Sequence, residues 1–393
     1  MVFIKLSHHP HAVFDLRIRR IFGFKRTVAV GASFGVVMVL GPNKAAGQIE
    51  VATFRSDGEY LDGRRPTSVQ YCRPEEDAKC RDFTINGLFF DPTANEVIDY
   101  VGGRDDLAAG LLRAIGDPVA RFREDKLRML RAVRFAATFQ YRLDENTAEA
   151  IRHHCGELNQ VSVERISQEL RRMLAHSTRA YSVELLVETG LLPYVFPELV
   201  DEKGSFPSVE VLTSLRGLEL DRFEPAMVIL LRNYHLNAAG DSRQRLAAVE
   251  NICRRLKFSN EECECISWLM HSLEVISGIA DRPLHILKPL LANSHSPLLL
   301  DLASAVARAK NLQPVDAEFC QRYLSQTSRE VLSPPALIDG RDVMELSVPA
   351  GPAIRDLLST IRNEQLDELL MTRDQAMIRL RQLVELMRAT RDS

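Results

Sequence analysis

Much that would make this 393-residue chain easy to place is missing from it. None of its seven cysteines stands in a Cys-x-x-Cys pair. That removes the common spacing of a zinc site and any sign of a disulfide framework, and it points to a reducing cytosol. No apolar run approaches the ~18 residues of a membrane span. The opening MVFIKLSHHPHAVFDLRIRR has no apolar signal core. The turn Gly41–Gly47 lacks the Gly-Lys-Ser/Thr ending of a phosphate loop. No period of roughly 20–50 residues repeats, which speaks against a solenoid scaffold. The formal net charge of −3 excludes a strongly basic, non-specific nucleic-acid binder but leaves room for a basic patch on one face.

What remains is the composition of a soluble globular protein, 46% apolar and 26% charged. The length suits two or three domains. The first hundred residues read as strands. Val28–Val30 and Phe34–Leu40 are β-branched and apolar, and Gln48–Phe54 alternates after the turn. Ile49, Val51 and Thr53 fall on one face, Glu50, Ala52 and Phe54 on the other. This is a β-hairpin with a carboxylate in the middle of its second strand, a position that strand propensity disfavours. Residues 56–80 are polar and rich in turn formers, and read as a long loop. A short strand pair follows, 87–90 with 96–100. Beyond Gly102-Gly103 the pattern turns helical, with one helix over 119–140 and others near 144–156, 163–175 and 178–191, and a helical remainder. The fold class is therefore a small α+β head followed by a long all-α neck, body and tail.

The chemistry concentrates in residues 80–135. Within a helix over 119–140, Asp125 and Arg128 would lie three apart on one face. A carboxylate beside a guanidinium offers an acceptor next to a donor. Cytosine and adenine present an amino donor beside a ring-nitrogen acceptor. Guanine and uracil present the reverse order and would meet like against like, at about 1–3 kcal/mol per mispaired contact. The same pair could equally be a solvated surface salt bridge worth a few tenths of a kcal/mol. Residues 121–134 carry six Arg or Lys against two acids, a locally basic stretch suited to phosphate.

Three ordered motifs carry a family resemblance: Arg81-Asp-Phe-Thr-Ile-Asn-Gly87, Asp99-Tyr-Val-Gly-Gly-Arg-Asp-Asp-Leu107 and Glu124-Asp-Lys-Leu-Arg-Met-Leu-Arg-Ala-Val-Arg-Phe135. Together they resemble the bacterial tRNA nucleotidyltransferase (CCA-adding) and poly(A) polymerase family, class II, which adds CCA or A-tails without a nucleic-acid template. Ile49–Arg55, Tyr60–Pro66 and the C-terminal Ile338–Val343 are similar to it as well. The resemblance implies an RNA nucleotidyltransferase that uses ATP and CTP with Mg²⁺ and acts on the 3′ end of tRNA or another RNA in the cytoplasm. It leaves the oligomeric state open.

The resemblance also implies roles. Arg81 and Asp82 would contact the triphosphate and sugar of the incoming nucleotide, and Asn86 would shape the sugar pocket. Gly102 and Gly103 would form a hinge between head and neck. Asp125 and Arg128 would read the base. Arg131 and Arg134 would meet phosphate or brace the template helix, which Glu164 and Arg165 would steady. Cys80 departs from the family, which has an arginine there. On this reading residues 1–18 are unmatched, 19–103 form a partial nucleotidyltransferase head, 104–192 the neck with its template helix, and 193–393 the body and tail.

Members of the family open with Gly-Gly-x-x-Arg-Asp and an Asp-x-Asp pair that holds two Mg²⁺ ions; neither stands in this sequence. Glu50 is then the remaining candidate metal ligand and catalytic carboxylate, in a site that is incomplete as the sequence stands. The expectation is a start downstream of the true one or a frameshift, with a partner polypeptide or a catalytically inactive RNA-binding relative as alternatives. It includes weak Mg²⁺ affinity, no tailing by the chain as given, and an exposed sheet edge near Val28–Leu40.

Overall fold

A computed structural model describes residues 11–29, 36–43, 47–57, 69–200, 206, 208–237 and 240–389. The chain divides into two compact units at Pro207/Ser208.

The first unit begins with helix α1, His11–Phe22, followed by strands β1, Thr27–Ala29, β2, Val36–Leu40, and β3, Gln48–Ala52. They form an antiparallel sheet in the order β1-β2-β3, with Val37 opposite Val51 and Met38 opposite Glu50. β2 is thus the central strand, paired on both sides, so among the described residues the edge expected along Val28–Leu40 falls on β1. Val37, Val39 and Val51 pack with Ile18 of α1, while Val28, Met38 and Glu50 share the opposite face. The period-two reading of the hairpin put Glu50 on the side away from Val51, and it stands there.

The polar stretch read as a loop is more ordered than expected. β4, Arg55–Asp57, pairs with β5, Val69–Tyr71, and α2 covers Pro74–Cys80. Pro at the first turn, Glu75–Asp77 behind it, and the Arg73 amide donating to the Glu76 carboxylate at 3.1 Å start this helix. Residues 58–68 lie outside the described residues.

β6, Phe89–Asp91, and β7, Glu96–Ile98, form a further hairpin. Next come α3, Gly103–Ala109, and β8, Leu111–Leu112, then α4, Pro118–Glu124, and α5, Leu127–Phe139. β9, Arg142–Leu143, pairs in parallel with β8. It leads to α6, Glu145–His154, α7, Val163–Leu174, α8, Arg179–Glu188, and the short α9, Leu192–Val195. Ile166, Leu170, Met173 and Leu174 are buried as one helical face of α7.

The second unit is all helical, from α10, Val209–Gly217, to a last helix at Arg373–Ala389. Its C-terminal part has its own core around Val343, Ile361 and Leu380. Among the described residues no helix is long and apolar enough to cross a membrane.

Candidate nucleotide site

The first motif leaves α2 in extended backbone at Arg81. Phe83 and Ala114 form an antiparallel bridge, and the Ile115 amide donates to the Asp82 carbonyl at 3.2 Å. This pairing fixes Asp82 over α5. Asp82 Oδ2 accepts from Arg131 Nε at 2.9 Å and Nη2 at 2.6 Å. Asp82 Oδ1 accepts from Asn86 Nδ2 at 2.9 Å and the Phe83 amide at 3.0 Å. Burial works to raise the pKa of this carboxyl. The Arg131 charge and the hydrogen bonds outweigh burial and hold it below its usual range. Arg131 is raised in turn: burial lowers it, and the Asp82 charge overcomes that. Arg81 is tied to the buried Asp77, with Nη2–Oδ2 at 2.6 Å.

The helix expected over 119–140 is broken, and the break lies at the residues of interest. Asp125 ends α4 in extended backbone, φ −145°, ψ 104°. Its Oδ1 accepts from the Leu127 amide at 3.1 Å, the local competition by which an Asp side chain starts a new helix. Both its oxygens also receive Arg165 of α7, Nη1 at 3.0 Å and Nη2 at 2.7 Å. Asp125 and Arg128 are therefore neither neighbours on one helix face nor a surface salt bridge with each other. Arg128 is buried, and its Nη1 donates to Glu124 at 2.6 Å and to the Arg121 carbonyl at 3.2 Å. Its Nε and Nη2 have no partner among the described residues. Asp125 Oδ2 keeps one acceptor position beyond Arg165. One open acceptor and two donor nitrogens thus belong to residues that line the same space.

That space is a cleft of about 430 Å³, lined by Cys80, Arg81, Asp82, Ile85, Asn86, Leu88, Asp125, Arg128, Arg131 and Phe135. It brings together six of the residues singled out in the sequence: Arg81, Asp82, Asn86, Asp125, Arg128 and Arg131. Arg134 is not among them. Its Nε is bound to the buried Glu169 of α7 at 2.5 Å. Glu50 is exposed on the open face of the β1-β2-β3 sheet and does not line the cleft. Sequence reasoning missed Ile85, Leu88 and Phe135. Phe135 was within reach, since it stands seven residues, two helical turns, after Arg128.

Gly102 and Gly103 start α3, Gly102 at φ +76°. Asp99 accepts from the amides of Val101 at 2.9 Å, Gly103 at 3.1 Å and Arg104 at 2.9 Å. A Cβ on Gly103 would collide with the Thr84 carbonyl. Thr84 Oγ1 in turn donates to the buried Asp106 at 2.7 Å, beside Arg113 at 3.1 Å. The pair of glycines is a tightly held joint in this state. Gly103→Ala is expected to cost about 1–3 kcal/mol through forced backbone displacement, read as a lower melting temperature. An unchanged melting temperature would show that the joint yields freely.

The cleft, bordered by guanidinium groups with an acceptor and donors at a helix break, belongs to a mostly helical fold with a small sheet-containing head. Residues 16–113 match the Poly A polymerase head domain, and residues 140–202 match the probable RNA and SrmB-binding site of polymerase A. A CCA-adding enzyme of Geobacillus thermodenitrificans is 32% identical over 343 residues, 86% of this chain and 79% of that protein. One from Lactococcus lactis subsp. cremoris (strain MG1363) is 30% identical over 366 residues, 92% of this chain and 82% of that protein. The crystal structure of the Bacillus stearothermophilus CCA-adding enzyme in complex with CTP superimposes with a TM-score of 0.71 at 26% identity, covering 91% of this chain and 85% of that one. The chain belongs to the CCA-adding enzyme and poly(A) polymerase family of RNA nucleotidyltransferases.

Proposed function

We propose that this nucleotidyltransferase adds C and/or A nucleotides to the 3′ end of tRNA or another RNA, drawing on CTP and ATP. The observation that carries this reading is the placement of Asp125 and Arg128 on one cleft, each tethered by a partner that leaves part of its hydrogen-bonding capacity open. The acceptor on Asp125 Oδ2 suits the amino group of cytosine or adenine, and the Arg128 donors suit the adjacent ring nitrogen. Arg165 and Glu124 hold the two side chains in place, which lowers the entropy lost when a base binds. Arg81 and Asp82 would meet the triphosphate and sugar, Asn86 would shape the sugar pocket, and Arg131 and Arg134 would meet phosphate or brace the template helix. In domain terms, the proposal keeps a head at 19–103, a neck at 104–192 and a body and tail at 193–393. All seven cysteines are free, which fits a reducing cytosol.

The family implies Mg²⁺. Among the described residues no three His, Cys, Asp or Glu side chains gather as a metal site, so those residues do not make up a two-metal centre. Glu50, on the open face of the sheet, is the carboxylate this reading assigns to metal binding.

The test is equilibrium binding. ATP and CTP are expected to raise the melting temperature more than GTP and UTP. The affinity for tRNA is expected to fall steeply between about 50 and 200 mM salt as phosphate contacts release counterions. Equal stabilisation by all four nucleotides, or salt-independent RNA binding, would overturn the reading.

A further inference from the structure

Arg128, Arg131, Phe135 and Phe139 follow one another on a single face of α5, at helical spacings of three, four and four. The stripe starts with two guanidinium groups in the cleft and ends with two aromatic rings. Phe135 lines the cleft, and Phe139 lies parallel to it, centroids 6.1 Å apart with 5° between planes. Tyr141 continues the series at 5.7 Å from Phe139. Gln140, in left-handed backbone at φ 56°, ends α5 and turns the chain so that the Tyr141 amide donates to the Ala136 carbonyl at 2.8 Å. The Tyr181 hydroxyl donates to the Tyr141 carbonyl at 3.2 Å. On the inner side Phe83 meets Phe135 edge-on at 5.8 Å, and Arg134 and Arg131 lie over the Phe135 ring at 3.9 and 5.2 Å. The inner rings are thus fixed by packing and by anchored cations, yet Phe139 leaves 47% of its surface in solvent.

We propose that Phe139 and Tyr141 form a stacking platform for an unpaired base at the RNA 3′ end, beside the nucleotide cleft. The inference rests on the nucleotidyltransferase reading and adds a binding subsite to it. An exposed aromatic face accepts any base, because every base has a π-face. The platform is continuous with the cleft through Phe135. A base stacked on it lies next to the space for the incoming nucleotide, where a primer terminus must lie for its hydroxyl to reach the triphosphate. The Asp125 and Arg128 edge selects the incoming base, so the platform needs no sequence preference of its own.

The experiment compares the full chain with Phe139→Ala, Phe139→Leu, Phe139→Trp and Tyr141→Leu. The ligands are a tRNA carrying unpaired 3′ nucleotides and a blunt-ended RNA duplex. Phe139→Ala is expected to weaken binding of the unpaired-end RNA by roughly 5- to 100-fold, the range of one lost base–aromatic stack. Phe139→Leu and Tyr141→Leu should weaken it as well, and Phe139→Trp should restore it. Blunt-duplex binding and the melting-temperature shifts caused by ATP and CTP should not change, which also shows that the variants fold. A 2-aminopurine at the RNA 3′ terminus should be quenched by the wild type and not by Phe139→Ala. Equal affinity in wild type and Phe139→Ala would overturn the proposal. So would full binding by Phe139→Leu, or a loss of self-association in place of RNA binding. A wild type without preference for ATP and CTP would instead strike the cleft reading, and leave the comparison of RNA ends to judge the platform.

Discussion

Asp125→Ala is expected to erode the preference for ATP and CTP over GTP and UTP by roughly 10- to 100-fold, since each correctly paired contact is worth about 1–3 kcal/mol. In the wild type the amino group of cytosine or adenine would find the remaining lone pair of Asp125 Oδ2. The carbonyl that guanine or uracil presents there would face a carboxylate oxygen. Alanine removes both the attraction and the repulsion, so the correct nucleotides lose affinity and the wrong ones lose their penalty. Arg165 also loses its partner on α7, where it now holds both carboxylate oxygens at 3.0 and 2.7 Å. Arg165→Ala is therefore expected to weaken selection less, by loosening Asp125 and not removing it. Relative binding of the four nucleotides to wild type and both variants decides the matter. An unchanged order in Asp125→Ala would remove this residue from base selection.

Asp82→Asn is expected to destabilise the first unit by about 3 kcal/mol at pH 7. That is the lower end for breaking a buried ion pair, because the Arg131 side chain keeps 30% of its surface exposed. The amide would turn its NH₂ either toward the two Arg131 donors or toward Asn86 and the Phe83 amide, and two donors lose their acceptor in both cases. The pH dependence has a definite sign. The folded-state pKa of Asp82 lies below its ordinary value of 3.8. Its contribution is fully present above that ordinary value and is lost as the pH falls through the depressed one. The gap between wild type and variant should stay constant from pH 7 to about 5 and close as the pH drops below about 4. Urea unfolding at several pH values measures it. A gap that persists undiminished at the acid end would mean that packing, not charge, is what the substitution disturbs.

The sequence by itself determined most of the scaffold. Period-two alternation in 48–54 placed Glu50 opposite the buried face, and helical periodicity marked the buried side of α7. The order of the three motifs pointed to the family, that resemblance named most of the cleft, and residue chemistry singled out Asp125 and Arg128. Two local signals were legible and outweighed by context. Pro74 with its acidic first turn starts a helix inside a stretch whose polarity suggests a loop. Phe135 stands at helical spacing from Arg128. What only the tertiary structure decided were contacts between residues far apart in the chain. Residues 119–139 hold no proline inside the apparent helix and no glycine, so nothing in the local pattern stops it at Asp125. The break is held from forty positions away by Arg165, together with the capping of Leu127. Folding sets the buried Glu169 against Arg134, and it ties Asp82 of the first motif to α5 because Arg131 comes to lie beside it. Periodicity reports which face of an element is buried. Which partner a charged side chain chooses depends on the few ångströms that packing leaves between elements, and that distance is not written in local sequence.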